Sequence, residues 1–325
     1  MAGSKRVLQA EGITKSYDET EVLSAIDLEL SEGEWLGILG ESGSGKSTLL
    51  RILGRFTDAD AGKVLFRKKE LPPVRNELIP GHEAIRLIHQ EFELFPNQTV
   101  AENISYALRF YNPQYRLEKV TELLEITGLG YVRHKKAKLL SGGEKQRTAI
   151  ARSLAEEPLV LLLDEPFAHL DNHNRRVLAD AIELLRTQKK TACVFVTHEA
   201  GDALAWSDRI AVLRNGRIIQ IGTPEEVYNQ PANSYVAELT GDINWLNKTD
   251  GKQYFIRPEK IKRTQFPEKS KWHGTVETIR FHGNHWEIRC RNQEGYLSFY
   301  RNRNDMNVGE EVFLTYGARD LRHIQ

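Results

Sequence analysis

The eight residues Gly40-Glu41-Ser42-Gly43-Ser44-Gly45-Lys46-Ser47 constrain this chain more than any other stretch, because they fit the pattern G-x-x-x-x-G-K-[ST] at every fixed position. The glycines let the backbone fold tightly, so successive N–H groups turn inward toward phosphate oxygens. Lys46 then reaches the outer phosphates, and the Ser47 hydroxyl is available to Mg²⁺. The flanks agree with this reading. Trp35 to Leu39 is a short, mostly apolar run suited to a buried strand, and Thr48-Leu49-Leu50-Arg51-Ile52-Leu53 reads as a helix whose N-terminus faces the phosphates. A strand, a glycine-rich loop and a helix in that order predict an α/β sheet that holds a nucleoside triphosphate. The residues expected to hold it are Gly40, Ser42, Gly43, Ser44, Gly45, Lys46, Ser47 and Thr48.

Composition narrows the setting. With 325 residues the chain can form one large domain and a smaller one. Lys plus Arg equal Asp plus Glu at 45 each, so no global field favours nucleic acid or an anionic membrane. Cys193 and Cys290 are too few and too distant for a disulfide framework, and a reducing, cytosolic setting is expected. No apolar run approaches the roughly 18–20 residues of a membrane span, and the start Met-Ala-Gly-Ser-Lys-Arg lacks a signal-type apolar core. Work at a membrane would therefore need a partner to bring the chain there.

A second apolar strand, Val160-Leu161-Leu162-Leu163, ends in Asp164-Glu165-Pro166. Ligands of open α/β sheets collect at the carboxyl edge, where these two acids should lie. Asp164 suits an Mg²⁺ coordination shell, and Glu165 suits a water in line with the γ-phosphate. Between the loop and these acids lies Leu140-Ser141-Gly142-Gly143-Glu144-Lys145-Gln146-Arg147, followed by a helix-like run through Ala149, Ile150, Ala151, Leu154 and Ala155. A helix opening on Ser and two glycines is a second candidate phosphate-binding N-terminus.

This octapeptide resembles the signature motif of ABC (ATP-binding cassette) ATPases. The resemblance covers about residues 6 to 240, and further landmarks appear in the family's order. Tyr17 resembles the aromatic residue that stacks on adenine. Gln90 resembles the Q-loop glutamine, which meets Mg²⁺ or the attacking water and links the site to membrane subunits. His198 resembles the switch histidine at the γ-phosphate, and Asp171 resembles the aspartate that connects two sites across a dimer. His89 stands where the family commonly has Phe, and His169 where it has a small polar residue. The resemblance implies a catalytic set of Glu165, His198 and Gln90, a metal set of Ser47, Gln90 and Asp164, and contacts from Ser141, Gly142 and Gly143 to ATP held by a second copy.

It also implies an α/β P-loop cassette, here residues 1–243, with a mostly parallel sheet and an N-terminal antiparallel β region. A helical subdomain is expected over about 98–155, its pattern carried by Leu117, Val120, Leu123 and Leu124 with a stop at Gly128 and Gly130. Near its entrance, the aromatics of Phe92-Glu93-Leu94-Phe95-Pro96 are expected to help form a groove for a helix from a membrane partner.

From about 244 the pattern changes to short β-type runs: Tyr254-Phe255-Ile256, Gly274 to Ile279, Trp286 to Cys290, Tyr296 to Phe299 and Val312 to Tyr316. They predict a small all-β barrel of the OB type over 244–325. Phe255-Ile256-Arg257-Pro258-Glu259-Lys260 resembles the Arg-Pro-Glu element of the TOBE domain found on importer ATPases. From residue 246 onward there are 15 Lys plus Arg against 10 Asp plus Glu, an excess too scattered to predict nucleic-acid binding. His282 and His285 lack a third metal ligand nearby, and Gly283-Asn284 reads as a hairpin turn.

The reading that follows is the ATP-hydrolysing subunit of an importer. It would work as a homodimer on the cytoplasmic face of the inner membrane, beneath two integral-membrane permease subunits served by a solute-binding protein, with ATP and Mg²⁺. Resemblance in 222–244 points to ferric iron or polyamine as the solute. The alternatives are an exporter ATPase, or a non-transport switch on DNA or the ribosome. The second fits a chain with one P-loop and no sustained heptads poorly.

Overall fold

Five consecutive residues with no exposed side chain, Trp35–Leu39, can be accommodated only in a strand covered on both faces. In the computed structural model, which describes residues 5–88, 94–168, 170–247 and 253–323, this strand lies inside the larger sheet. The chain forms two compact units, Met1–Pro224 and Glu225–Gln325.

The first unit opens with β1 (Arg6–Tyr17) and β2 (Thr20–Ser31), then β3 (Trp35–Leu39), α1 (Lys46–Leu53), β4 (Ala61–Phe66), β5 (Lys69–Glu70) and β6 (Ile85–Ile88). It continues with α2 (Val100–Ala107), α3 (Pro113–Ile126), α4 (Gly142–Leu154), β7 (Val160–Asp164), α5 (Asn172–Lys189), β8 (Ala192–Thr197), α6 (Ala200–Trp206), β9 (Arg209–Arg214) and β10 (Arg217–Gly222). An antiparallel sheet has the order β2-β1-β4-β5, as expected for the N-terminal β region. The larger sheet has the order β10-β9-β3-β8-β7-β6 and is parallel except for the β9–β10 hairpin. Two apolar clusters cover it. One includes Leu49, Leu50, Ile52 and Leu53 of α1 with the antiparallel sheet, and the other includes Val120, Leu123 and Leu124 of α3 with Ile150, Ala151 and Leu154 of α4.

The helical region contains the expected α3, which starts on an Asn112 cap with Pro113 at its first position and ends before Gly128, whose φ is +62°. Leu117 departs from the expected stripe. It is 55% exposed although the i, i+3, i+7 spacing puts it on the face of Val120 and Leu124, because it stands nearer the start of α3, where that face is left uncovered.

The second unit carries α7 (Pro224–Asn229), α8 (Ser234–Leu239), β11 (Asn244–Asn247), β12 (Gln253–Ile256), β13 (Lys262–Thr264), β14 (Trp272–Phe281), β15 (Trp286–Asn292), β16 (Gly295–Arg301), β17 (Glu311–Thr315) and β18 (Arg322–His323). Its sheets have the orders β11-β12-β18 and β13-β17-β14-β15-β16 around a core that includes Ile288, Cys290, Leu297, Phe299 and Leu314. Residues 225–243 belong to this unit, and Arg257 shows why. Its buried guanidinium donates to the carbonyls of Ala237 (2.9 Å), Gly241 (2.7 Å), Asp242 (3.2 Å) and Tyr228 (2.9 Å) and to the Thr240 hydroxyl (2.8 Å). It also lies 4.1 Å from the Tyr228 ring centroid, so one side chain pins α7 and α8 to the end of β12. His282 and His285 flank the turn of the β14–β15 hairpin, where Gly283 has φ +87°. Among the described residues no group of three or more His, Cys, Asp or Glu is arranged to hold a metal ion.

Candidate active site

Parallel strands align their carboxyl ends, and the order of this sheet makes that alignment specific. β3, β8 and β7 are neighbours, so the loop after β3, the segment after β8 and the segment after β7 emerge side by side. Two hydrogen bonds continue the ladder past the strand ends: Gly40 N–H to the Thr197 carbonyl at 3.3 Å and Glu165 N–H to the Val196 carbonyl at 3.1 Å. The P-loop, Asp164 with Glu165, and His198 therefore meet at one edge.

The loop closes on itself before helix α1 begins. Gly43 and Gly45 have φ of +81° and +103°, a region open to glycine. A Cβ on Gly45 would sit 2.8 Å from the Val22 carbonyl oxygen, so glycine is required there sterically as well. Among the described residues no side chain caps α1. Its first N–H groups, those of Lys46, Ser47 and Thr48, point out of the helix toward the loop and offer an anion the positive end of the helix dipole. Lys46 Nζ donates to the carbonyls of Gly40 and Glu41, each at 2.8 Å. Burial pushes the pKa of this ammonium below the ordinary lysine value, against the pull of Glu165, Asp164 and Glu41. Among the described residues the buried Ser44 hydroxyl has no hydrogen-bond partner. Exposed at the mouth, Ser47 donates to Asp164 Oδ1 at 3.1 Å. One hydroxyl and one carboxylate oxygen at that spacing suit a hard cation that takes its other ligands from phosphate and water.

Glu165 follows directly. It is a non-glycine residue with φ +49°, a conformation that costs energy and turns the side chain away from the run of β7. Its Oε1 lies 3.0 Å from His198 Nδ1, and His198 Nε2 lies 3.5 Å from Glu199 Oε1. A carboxylate and an imidazole in contact, next to a phosphate cradle, can polarise water and hold a γ-phosphate oxygen.

The signature residues stand elsewhere. Ser141 caps α4 through a reciprocal box, accepting from Glu144 N–H (3.3 Å) while its own N–H donates to Glu144 Oε2 (2.7 Å). Tyr131 and Lys135 also donate to the Glu144 carboxylate. Ser141 and Gly142 are exposed, and a Cβ on Gly142 would meet nothing within 4 Å. Among the described residues no hydrogen bond or ion pair joins residues 141–143 to the P-loop of the same chain. Asp171 accepts from the backbone and side-chain nitrogens of Asn174, both at 2.8 Å. Tyr17, at the end of β1, is 46% exposed with Lys15 Nζ 5.5 Å from its ring. Phe95 is half-buried, edge-on to Tyr106 with the Arg152 guanidinium 4.6 Å from its ring. His89, Gln90, Phe92 and His169 lie outside the described residues.

Sequence reasoning missed three contributors: the Glu41 carbonyl that holds Lys46, Glu199 beside His198, and Gln146. The Gln146 side chain donates to the Pro166 carbonyl and so ties α4 to the turn that follows Glu165. The spacing Ser141-x-x-Glu144 is a capping-box signal legible in sequence, whereas nothing local marks the other contacts.

Residues 23–168 match the ABC transporter family model, and residues 254–324 match that of the TOBE domain. The spermidine/putrescine import ATP-binding protein PotA of Clostridioides difficile strain 630 is 36% identical over 98% of this chain and 97% of its own length. The protein of the same name from Spiroplasma citri is 34% identical over 97% of this chain and 96% of its own. Among solved structures, cbiO1 from Clostridium perfringens, part of the ABC transporter complex cbiONQ, superposes with a TM-score of 0.62 at 28% identity, covering 69% of this chain and 90% of that one. A dimeric ATP-binding cassette in a post-hydrolysis state, bound to ADP and phosphate, gives 0.59 at 28% identity over 67% of this chain and 98% of its own. The chain belongs to the ABC transporter ATP-binding family, as an importer-type subunit with a C-terminal TOBE domain. It binds ATP and hydrolyses it to drive import.

Proposed function

We propose that this ATPase energises polyamine uptake, and that Glu165, His198 and Gln90 carry the hydrolysis. Support for the solute is similarity along nearly the whole chain to spermidine/putrescine import ATP-binding proteins. It favours polyamine over ferric iron and over the exporter and non-transport alternatives. The observation that carries the catalytic reading is the convergence of two pairs at one sheet edge, Ser47 with Asp164 (3.1 Å) and Glu165 with His198 (3.0 Å).

In this reading the N–H groups of residues 43–48 and the Lys46 ammonium hold the β- and γ-phosphates, and Tyr17 stacks on adenine. Ser47, Asp164 and Gln90 would hold Mg²⁺, which neutralises charge on the phosphate oxygens when bound. Glu165 orients the attacking water and accepts its proton, while His198 steadies the γ-phosphate. The open N-terminus of α4 supports a composite site in which Ser141, Gly142 and Gly143 face ATP on a second copy, with Asp171 linking the two sites. Closure and reopening of the homodimer would then move two permease subunits at the cytoplasmic face of the inner membrane. Among the described residues no helix is long and apolar enough to cross a membrane, so peripheral attachment through those subunits fits.

The test is to isolate the tagged chain from native membranes in mild detergent, identify its companions, and measure ATP hydrolysis with candidate solute-binding proteins. Multi-span subunits and stimulation by a spermidine-loaded binding protein are expected. Stimulation only by an iron-loaded protein would overturn the solute, and a soluble dimer with ribosomal or DNA partners would overturn transport.

A further inference from the structure

Glu165 and His198 come from the ends of different strands, so their 3.0 Å contact depends on whatever fixes one segment against the other. The β7–β8 ladder, extended by Glu165 N–H to the Val196 carbonyl, aligns the strand ends, and Arg175 bridges the segments beyond them. It lies in the first turn of α5, where its N–H donates to the Asp171 carbonyl at 2.9 Å. Its Nη1 donates to Asp202 Oδ1 at 2.8 Å, and its Nη2 donates to the Phe167 carbonyl at 3.4 Å. Asp202 is in the first turn of α6, just past His198 in sequence, and its N–H donates to the Glu199 carbonyl at 3.2 Å. Phe167 is two residues past Glu165.

The Phe167 ring repeats the connection in apolar form. It is edge-on to Phe195 of β8 (centroids 5.9 Å apart) and stacked on Trp206 at the end of α6 (5.8 Å). Asp202 is 3% exposed, and burial raises its carboxyl pKa against the charge of Arg175. Removing Arg175 would leave this carboxyl buried without its charged partner.

We propose that Arg175 is a positioning residue for hydrolysis: by bonding Asp202 and the Phe167 carbonyl together, it holds the Glu165 turn and the His198 loop at reacting distance. This rests on the catalytic roles proposed above for Glu165 and His198. Because Arg175 lies in the first turn of the helix that follows Asp171 and its N–H bonds the Asp171 carbonyl, the same residue passes any shift of that segment to the catalytic pair.

The experiment measures kcat, KM for ATP, nucleotide affinity and thermal unfolding in the permease-bound protein for Arg175→Gln, Arg175→Lys and Asp202→Asn, beside Glu165→Gln and His198→Ala. The two reference variants should lose turnover while retaining ATP. Arg175→Gln and Asp202→Asn should each lower kcat about tenfold or more with KM little changed, as expected for misplaced catalytic groups. A variant carrying both Arg175→Gln and Asp202→Asn should lose no more than the worse single, and Arg175→Lys should recover part of the rate. Wild-type kcat in a folded Arg175→Gln would overturn the proposal, as would a loss that only tracks the folded fraction. Should Arg175→Gln fail to fold, the isosteric Asp202→Asn decides in the same terms. Unchanged turnover in Glu165→Gln and His198→Ala would remove the catalytic pair itself, and Arg175's role with it. Normal loss there with none in the Arg175 and Asp202 variants would remove the positioning role alone.

Discussion

Gly45 is a residue whose identity is set twice, by a φ of +103° and by the Val22 carbonyl oxygen 2.8 Å from where a Cβ would stand. Gly45→Ala should distort the loop and abolish nucleotide binding even though α1 keeps its apolar face. Titration with a fluorescent ATP analogue checks this, and wild-type affinity would refute the steric argument. Lys46→Ala acts differently, since it leaves the backbone cradle and removes the charge. Hydrogen bonds to charged groups contribute about 1.5–3 kcal/mol, so affinity should fall roughly tenfold to a hundredfold in the same titration. At this scale the P-loop was legible because its chemistry lies in contiguous residues. The φ of +49° at Glu165 was not, because it depends on which strands become neighbours, and the two carbonyls on Lys46 were not, because backbone acceptors are set by the folded shape of the loop rather than by residue type.

Helix α4 shows how an element gains stability and function from the same residues. The Glu144 carboxylate is buried, which acts to raise its pKa. Donation from Ser141 N–H, Tyr131 and Lys135 outweighs burial and holds the pKa below the ordinary range. A depressed folded pKa contributes stability that is fully present above the unfolded value of about 4.3 and is lost as pH falls through the folded value. Glu144→Gln keeps a capping box but not the charge. It should be less stable than wild type at neutral pH by about 1 kcal/mol, and the gap should close as pH drops below about 4.3. Thermal melts across pH measure it, and a pH-independent gap would contradict the account. The 3.6-residue period located α3 correctly, yet it could not show that Leu117 stays exposed, because how far along the helix the covering surface reaches is set by residues remote in sequence. In the second unit the longer alternating strands β14 to β17 were legible. The short β13 and β18 were not, since two or three residues carry no period.

Over the whole chain, Arg257 makes the segment 225–243 part of the second unit. Arg257→Ala would strip a charged donor from five acceptors and should destabilise that unit by about 3 kcal/mol or more. Hydrogen exchange should speed up in α8 and β12 while ATP affinity of the first unit holds; unchanged protection would contradict the pinning role. The Arg-Pro-Glu resemblance marked this residue without revealing its acceptors, which are backbone atoms that composition does not encode. The strand order that gathers the P-loop, Asp164, Glu165 and His198 is likewise a property of the sheet as a whole. Gly142, in contrast, is open to solvent at its own helix end, which leaves room for a second copy.

The most direct test of the central claim is light scattering of Glu165→Gln with ATP and Mg²⁺, with nucleotide content and phosphate release measured on the same sample. The account predicts a dimer that retains uncleaved ATP and releases almost no phosphate. A monomer, or phosphate release at the wild-type rate, would contradict it.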